Sequence, residues 1–318
     1  MPRSRLPGPR PARAGSPADA ASVSGLRAGS ASAASCPRLF ASLIKVEHSV
    51  YALPFAYAGA FFAELRAPRW WDLLWVTVAM VGARSSAMAL NRLIDAGIDA
   101  RNPRTAGREL PAGALRRKDV WLFTLVSIAL LVIAAFQLSP PCRYLWPVPL
   151  AAFVAYPYMK RVTAVCHYAL GLTLGLAPAA AWLAVSGSVG VGAVLLFLGV
   201  GLWVGGFDVI YGIFDLDFDR REGLHSVAVA LGPRGALHVA ALSHVGAVAL
   251  LAAVGAALGL GVVYWVGLAL VAALLIASHV DIARRGLDEV GMSFMTVNGA
   301  VGIGYGAVAV ATVLVGQA

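Results

Sequence analysis

Charged residues are scarce in this chain. Only 13% of its 318 residues are Asp, Glu, Lys or Arg, whereas 59% are hydrophobic. In an ordinary soluble domain about a quarter of all residues are charged, so this composition excludes that class of protein. With a mean hydropathy of +0.77, most of the chain must be solvated by lipid, and we expect an integral membrane protein.

Cysteine and acidic residues are also few. The three cysteines, Cys36, Cys142 and Cys166, are isolated, which excludes a disulfide framework and a cysteine-based metal site. The chain has 16 acidic and 25 basic residues, which gives a net charge of +9. No basic stretch is interleaved with aromatic residues, so we expect no nucleic-acid partner and relate the charge to membrane topology and an anionic substrate.

Long apolar stretches dominate the chain from residue 44 onward. Nine of them approach the length of about 17–25 residues that spans a bilayer. They lie near 44–63, 72–94, 119–138, 144–159, 163–186, 189–214, 235–258, 260–279 and 294–315. The pattern predicts an all-α polytopic membrane protein with nine transmembrane helices, in two related four-helix halves plus one, around a central cavity.

Lysine and arginine are distributed unevenly between the loops. If the N-terminus is cytoplasmic, most of them fall on the cytoplasmic side, whereas only Arg66, Arg69 and Arg143 fall in the opposite loops. This positive-inside bias predicts the orientation. We expect a bacterial inner (cell) membrane protein, with the mitochondrial inner membrane as the alternative.

The N-terminal segment, residues 1–38, differs from the rest. It is rich in Arg, Pro, Ser and Ala and has no apolar core for a secretory signal. We expect it to be disordered, and residues 39–318 to form one transmembrane domain. Its composition suits either a translation start placed too early or a mitochondrial transit peptide.

Two acidic motifs stand at the ends of two predicted helices, Asn91-x3-Asp95-x3-Asp99 and Tyr211-x3-Asp215-x3-Asp219. The i, i+4 spacing places each aspartate pair on one helical face. Two bare carboxylates 4 Å apart repel by about 4 kcal/mol at an effective dielectric constant near 20. Because Mg²⁺ takes oxygen ligands and substrate phosphate oxygens together, the motifs predict a divided magnesium site for a diphosphate.

Basic and polar residues accompany these motifs. The predicted cations for the diphosphate are Arg101, Arg104, Arg108, Lys160 and Arg161, with Tyr156 one turn before Lys160. Two charges lie deeper, each seven residues before a motif: Arg84 and Asp208. Intramembrane charges suggest function, so they could pair with each other, or Arg84 could hold an anionic acceptor while Asp208 orients a hydroxyl. The six histidines show no ligand spacing, and we interpret them as structural.

With these motifs the chain resembles the UbiA superfamily of intramembrane aromatic prenyltransferases. Asn91-x3-Asp95-x3-Asp99 matches the first aspartate-rich motif of that family, Asp215-x3-Asp219 the second, and Tyr156-x3-Lys160 the motif between them. The resemblance covers about residues 40–315. It implies a polyprenyl diphosphate bound through Mg²⁺ by Asn91, Asp95, Asp99, Asp215 and Asp219, with Lys160 and neighbouring arginines on the diphosphate.

The resemblance is strongest to the 4-hydroxybenzoate polyprenyltransferase branch. The segments that carry it are Lys45-Val-Glu-His-Ser-Val-Tyr-Ala-Leu-Pro-Phe55, Gly206-Phe-Asp-Val-Ile-Tyr211 and Gly223-Leu-His-Ser226. It implies prenylation of 4-hydroxybenzoate in quinone synthesis, by ionisation of the diphosphate and aromatic substitution. The alternative acceptor is 1,4-dihydroxy-6-naphthoate, since divergent bacterial members serve menaquinone synthesis. Either acceptor is a carboxylated phenol.

Two other classes also place carboxylates in membrane helices. A cation transporter is expected to hold them near the bilayer midplane on broken helices, whereas these motifs end helices beside arginine-rich loops. A CDP-alcohol transferase needs an Asp-Gly-x2-Ala-Arg lead-in, and Ala83-Arg84 has no acid before it. The oligomeric state leaves no mark in the sequence.

Overall fold

The protein was examined as a computed structural model that describes residues 36–316. Side chains are described except at 36–37, 46–52 and 288–296. Nearly all of the predicted disordered segment, residues 1–38, therefore lies outside the described residues. No strand occurs between residues 36 and 316, and the predicted all-α class is confirmed.

Twelve helices make up the described chain. They are α1 (Cys36–Ile44), α2 (Val46–Phe62), α3 (Trp70–Arg101), α4 (Arg117–Gln137), α5 (Cys142–Leu145), α6 (Pro147–Met159), α7 (Cys166–Ser186), α8 (Val191–Phe214), α9 (Leu216–Glu222), α10 (Val227–Ala257), α11 (Val262–Arg285) and α12 (Leu287–Gly316). Each of the nine predicted apolar stretches falls on one of these helices.

Seven helices in the described part of the chain are long and apolar enough to cross a membrane. The two other predicted spans are shorter. Helix α2 has 17 residues and α6 has 13, and at 1.5 Å per residue α6 extends only about 20 Å, against a hydrocarbon core of about 30 Å. The membrane fold is therefore confirmed, and the crossing of the bilayer by α2 and α6 stays a prediction.

The helices enclose an internal cavity. Helix α3 packs beside α4 and α6, α7 beside α6 and α8, and α8 beside α10, while α11, α12 and α2 continue the ring back to α7 and α3. The cavity, of about 270 Å³, lies among α3, α4, α6, α7 and α8. The predicted central cavity is therefore present, on the side of the ring that contains α3.

Close approach of α7 and α8 depends on glycine. A Cβ on Gly171 would lie 2.2 Å from the carbonyl oxygen of Gly201, and one on Gly175 would lie 2.3 Å from that of Phe197. These contacts are possible only without a side chain, as small-residue interfaces in membranes require. The two helices are thereby held at a distance that places His167 and Asp208 within hydrogen-bond reach.

Helix boundaries differ from the apolar stretches at two places. Helix α3 continues past the apolar residues and through both aspartates of the first motif to Arg101. Helix α10 begins at Val227, before the expected start near 235, and bends at Gly232, whose φ is 71°, followed by Pro233. Because proline lacks an amide hydrogen and glycine tolerates positive φ, this bend separates the first five residues of α10 from the rest of the helix.

Candidate active site

The first motif lies on the inner face of α3. Asp95 and Asp99 are buried, with 3% and 5% of their surfaces exposed. The Asn91 amide donates to Asp95 Oδ2 over 3.3 Å, one turn away. The i, i+4 spacing therefore places Asp95 and Asp99 on one face of α3, as predicted. This face is turned toward the interior of the protein.

The second motif lies at the junction of α8 and α9. Asp215 ends α8 with φ −101° and ψ 4°, outside regular helix geometry, and α9 begins with the next residue. The Asp219 amide still donates to the Asp215 carbonyl at 2.8 Å. The two aspartates thus keep one-turn spacing across a helix junction, where a continuous helix was expected.

Each of three aspartates is held by basic residues from a loop or helix end. Lys160 Nζ lies 2.7 Å from Asp95 Oδ2, and Arg161 donates to the other oxygen at 3.2 Å. Arg108 donates to both oxygens of Asp99, at 2.8 and 2.7 Å. Arg104 donates to both oxygens of Asp215, its Nε at 2.9 Å. The cations expected on the diphosphate therefore lie directly beside the carboxylates of the two motifs.

The two motifs face one common site. Arg104 interacts electrostatically with Asp99, Asp215 and Asp219 together. Lys160 bonds Asp95 and also acts on Asp219. One end of the helix bundle, which we call the acidic end, therefore contains Asp95, Asp99, Asp215 and Asp219.

The aspartates of the second motif have opposite pKa shifts. Burial disfavours the charged form of Asp215, but hydrogen bonds from Arg104 and Asn102 outweigh it and hold the pKa of this carboxyl below its usual value. Burial and the nearby charge of Asp215 raise the pKa of Asp219 to about 6. The Asp219 carboxylate makes no hydrogen bond or ion pair to any described residue, so it has capacity for a further cation.

The acidic end supplies carboxylate oxygens, which are ligands suited to Mg²⁺, since this ion prefers one or two carboxylates together with substrate phosphate oxygens. No three acidic, histidine or cysteine side chains of the described residues lie close enough to share one ion. The five predicted ligands thus come to one end of the bundle without converging on one point. Arg104, Arg108 and Lys160 occupy the carboxylate oxygens instead.

Arg101 lies at the edge of this site. It donates to Glu222 of α9 and to the carbonyl of Gly97, each at 2.8 Å, and its side chain is 55% exposed. It joins α3 to α9 and makes no hydrogen bond or ion pair to the aspartates of either motif. The predicted contact of Arg101 with the diphosphate stays a prediction.

Arg84 and Asp208 do not pair with each other. Asp208 Oδ2 lies 2.7 Å from His167 Nδ1, whereas Arg84 makes no hydrogen bond or ion pair to any described side chain, and its Nε is buried without a partner. Of the two roles considered for these charges, mutual pairing is wrong. Arg84 instead lines the cavity, together with Tyr156.

The cavity continues away from the acidic end and is apolar. Its wall includes Ala79, Ala83, Leu138, Trp146 and Ala181. The polar residues in its lining include Arg84, Tyr156, Thr173 and Asn298. An apolar chain could therefore extend from the acidic end into the bundle.

The sequence patterns did not identify three residues of the site. Asn102 donates to Asp215 at 3.0 Å and accepts from the Arg104 amide, which connects the loop after the first motif to the second. Arg92 is 4% exposed and lies 4.0 Å from Asp99. His167, interpreted above as structural, bonds Asp208. Each interacts with a residue far away in sequence or on another turn, which motif spacing does not reveal.

Comparison with known proteins agrees with this arrangement. Residues 52–300 match the model of the UbiA prenyltransferase family. The chain belongs to this family. A 4-hydroxybenzoate octaprenyltransferase from Tolumonas auensis is 32% identical over 257 residues, which cover 81% of this chain and 87% of that protein.

Solved UbiA structures share the fold. The apo structure of a UbiA homologue from Aeropyrum pernix K1 has a TM-score of 0.76 and 33% identity, and the match covers 86% of this chain and 99% of that one. A UbiA homologue from Archaeoglobus fulgidus bound to DMAPP and Mg²⁺ has a TM-score of 0.63 at 17% identity, with 86% and 99% covered. The chain is therefore an integral membrane protein of the UbiA fold.

Proposed function

We propose that this protein transfers a polyprenyl group from polyprenyl diphosphate to the ring of 4-hydroxybenzoate. The observation that carries the proposal is the acidic end, where one buried and one half-buried aspartate motif, together with their cations, adjoin an apolar cavity. The name of the Tolumonas auensis relative supports the acceptor and the reaction. The Mg²⁺ and prenyl diphosphate bound by the Archaeoglobus fulgidus homologue support the cofactor and the donor.

The carboxylates of Asp95, Asp99, Asp215 and Asp219, with the Asn91 amide, are the groups that would hold Mg²⁺. When bound, the ion neutralises the negative charge that develops on the leaving diphosphate. Where the carboxylates hold the ion, Lys160, Arg161, Arg104 and Arg108 would be available to donate to the diphosphate. Such preorganised donors stabilise a leaving group more than water does.

The apolar cavity holds the prenyl chain and excludes water. The bond between the allylic carbon and the diphosphate oxygen breaks, and its electron pair leaves with the diphosphate. An aromatic carbon beside the hydroxyl of the acceptor then forms the new carbon–carbon bond and loses its proton. Exclusion of water favours attack by the ring over hydrolysis of the allylic cation.

Arg84 and Asp208 are the groups proposed for the acceptor. The partnerless Arg84 guanidinium lines the cavity and suits the carboxylate of 4-hydroxybenzoate. Asp208 interacts electrostatically with Tyr156 and Tyr211, and it would accept the phenolic proton as the ring attacks. Tyr156 and Tyr211, the two tyrosines on which Asp208 acts, are proposed to contact the substrates.

We place the protein in a bacterial inner membrane with the acidic end toward the cytoplasm. The distribution of lysine and arginine between the loops supports this orientation, because the loops next to Asp95 and Asp215 hold nine of them, whereas the loops at the opposite end hold only Arg66, Arg69 and Arg143. In that orientation the soluble acceptor and Mg²⁺ reach the site from the cytoplasm, and the prenyl diphosphate reaches it from the membrane.

The decisive experiment measures product in membranes that contain the protein. A labelled polyprenyl diphosphate is incubated with 4-hydroxybenzoate or with dihydroxynaphthoates, with and without a chelator. We expect a chelator-sensitive product from 4-hydroxybenzoate, lost in Asp95→Asn. The matched control is Asp119→Asn, which removes an acid paired with Arg116 away from the motifs. A product from a naphthoate alone would reassign the acceptor, and full activity of Asp95→Asn would refute the proposed function.

A further inference from the structure

His167 connects three helices at the inner edge of the site. It is the second residue of α7 and is 4% exposed. Its Nδ1 lies 2.7 Å from Asp208 Oδ2 on α8, and its Nε2 lies 3.4 Å from the amide nitrogen of Val227, the first residue of α10. This side chain is thus fixed from two directions.

These two contacts determine which ring nitrogen carries the proton. A backbone amide can only donate, so Nε2 accepts from Val227. A carboxylate can only accept, so Nδ1 carries a proton toward Asp208. Nδ1–H then donates to the carboxylate of Asp208.

The ring has room only because of a glycine. Gly212 lies one turn after Asp208 on α8, and a Cβ there would lie 2.8 Å from His167 Cε1. The imidazole therefore rests directly against the backbone of α8, beside the carboxylate that it holds. Because the ring is packed in this way, it holds Asp208 in a single orientation.

Asp208 faces the space between the cavity and the acidic end. Val204, one turn before it, lines the cavity, and Tyr211 and Asp215 follow at the spacing of the same helix face. The Asp208 side chain is 33% exposed, and its Oδ1 receives no hydrogen bond from any described residue. One oxygen is therefore held, and the other is open to this space.

We propose that His167 is a positioning residue that holds the Asp208 carboxylate ready to accept the phenolic proton of the aromatic substrate. The inference rests on the proposed function, in which Asp208 takes that proton. The Nδ1–H donor occupies Oδ2 and sets the side-chain torsion, so that Oδ1 presents its lone pairs to the acceptor. The proton passes from the phenol to Oδ1, and His167 keeps its own proton throughout.

The test compares three substitutions of His167 with a control. In His167→Ala the donor is lost. In His167→Asn the amide nitrogen lies near the position of Nδ1 and can still donate, whereas in His167→Gln it lies near that of Nε2. His238→Asn, on the exposed face of α10, is the matched control. Product formation with labelled prenyl diphosphate and 4-hydroxybenzoate gives kcat and both KM values, and melting in detergent reports folding.

We expect His167→Ala and His167→Gln to lower kcat roughly ten- to hundredfold, the range that a hydrogen bond to a charged group spans. The KM for prenyl diphosphate should stay within about twofold, since donor binding depends on the acidic end. His167→Asn should recover most of kcat, and His167→Ala should add nothing to the defect of Asp208→Asn. A purely structural role would give equal defects with Asn and Gln.

Several results would overturn the inference. They are a wild-type kcat in His167→Ala, equal activity of the Asn and Gln variants, and additive defects with Asp208→Asn. If His167→Ala does not fold, the comparison of the Asn and Gln variants decides alone. An inactive wild-type protein would instead contradict the proposed function, so the two failures can be told apart.

Discussion

Replacing Arg84 with methionine should weaken acceptor binding and stabilise the free protein at the same time. The Arg84 Nε is buried and has no hydrogen-bond partner among the side chains that the structure describes, and an unsatisfied buried polar group costs about 1–3 kcal/mol. Methionine fills similar space without that cost, so we expect the unfolding free energy to rise by about 1 kcal/mol. With the acceptor bound, Arg84 gains a charged hydrogen bond to the carboxylate.

Such a bond contributes about 2 kcal/mol, or roughly thirtyfold in affinity. We therefore expect Arg84→Met to raise the KM for 4-hydroxybenzoate by roughly that factor. The KM for the neutral analogue 4-hydroxybenzamide should barely change. The assay is initial-rate product formation with each acceptor at saturating prenyl diphosphate, and melting in detergent measures stability.

Arg143→Met is the control, because Arg143 is exposed on the short helix α5. It should change neither the ratio of the two KM values nor the melting temperature. The reasoning is refuted if Arg84→Met leaves the preference for the carboxylate over the amide intact. It is also refuted if the variant is less stable than the parent, since Arg84 would then have a stabilising partner.

Three further predictions concern the cavity, the helix contacts and the metal. Ala83→Phe places a ring in the cavity wall, so the longest polyprenyl diphosphates should lose kcat/KM while geranyl diphosphate retains it; an unchanged chain-length profile would place the chain elsewhere. Gly171→Ala forces a Cβ to within 2.2 Å of the Gly201 carbonyl and should cost about 1–3 kcal/mol of stability, whereas Gly304→Ala meets nothing within 4 Å and should melt like the parent. Chelation should abolish turnover, and added Mg²⁺ should restore it; turnover in excess chelator would exclude the metal role.

The fold class and the site location could be predicted because they depend on local patterns. Apolar stretches of spanning length identify membrane helices, and i, i+4 spacing places Asp95 and Asp99 on one face of α3. The prediction failed where a helix boundary depended on backbone detail. The bend at Gly232 and Pro233 lies inside α10.

Contacts between distant segments could not be predicted in this way. Arg104 and Arg108 are four residues apart in one loop, yet Arg104 binds Asp215 and Arg108 binds Asp99. Nothing in the loop sequence distinguishes them, since the choice depends on how α3 and α8 are placed. The same holds for Asp208, whose seven-residue spacing from Asp215 suggested a partner on α3, whereas packing of α7 against α8 provides His167.

The family assignment also separates the alternatives considered for the acidic motifs. A transporter would use the carboxylates to carry cations through the bilayer, but Asp95 and Asp215 lie at one end of the bundle beside basic residues that pair with them. This arrangement suits an anion that arrives together with its own metal. The exchange of arginine for Mg²⁺ on these carboxylates is the step on which the proposed function depends.

The most direct measurement of that exchange is calorimetric binding of a non-hydrolysable prenyl thiodiphosphate to the purified protein during a Mg²⁺ titration. We expect binding that requires Mg²⁺, that is lost in Asp95→Asn and in Asp215→Asn, and that is unchanged in Asp119→Asn. Binding of equal strength without Mg²⁺, unaffected by the first two substitutions, would show that the basic residues alone hold the diphosphate and would contradict the role given to the acidic motifs.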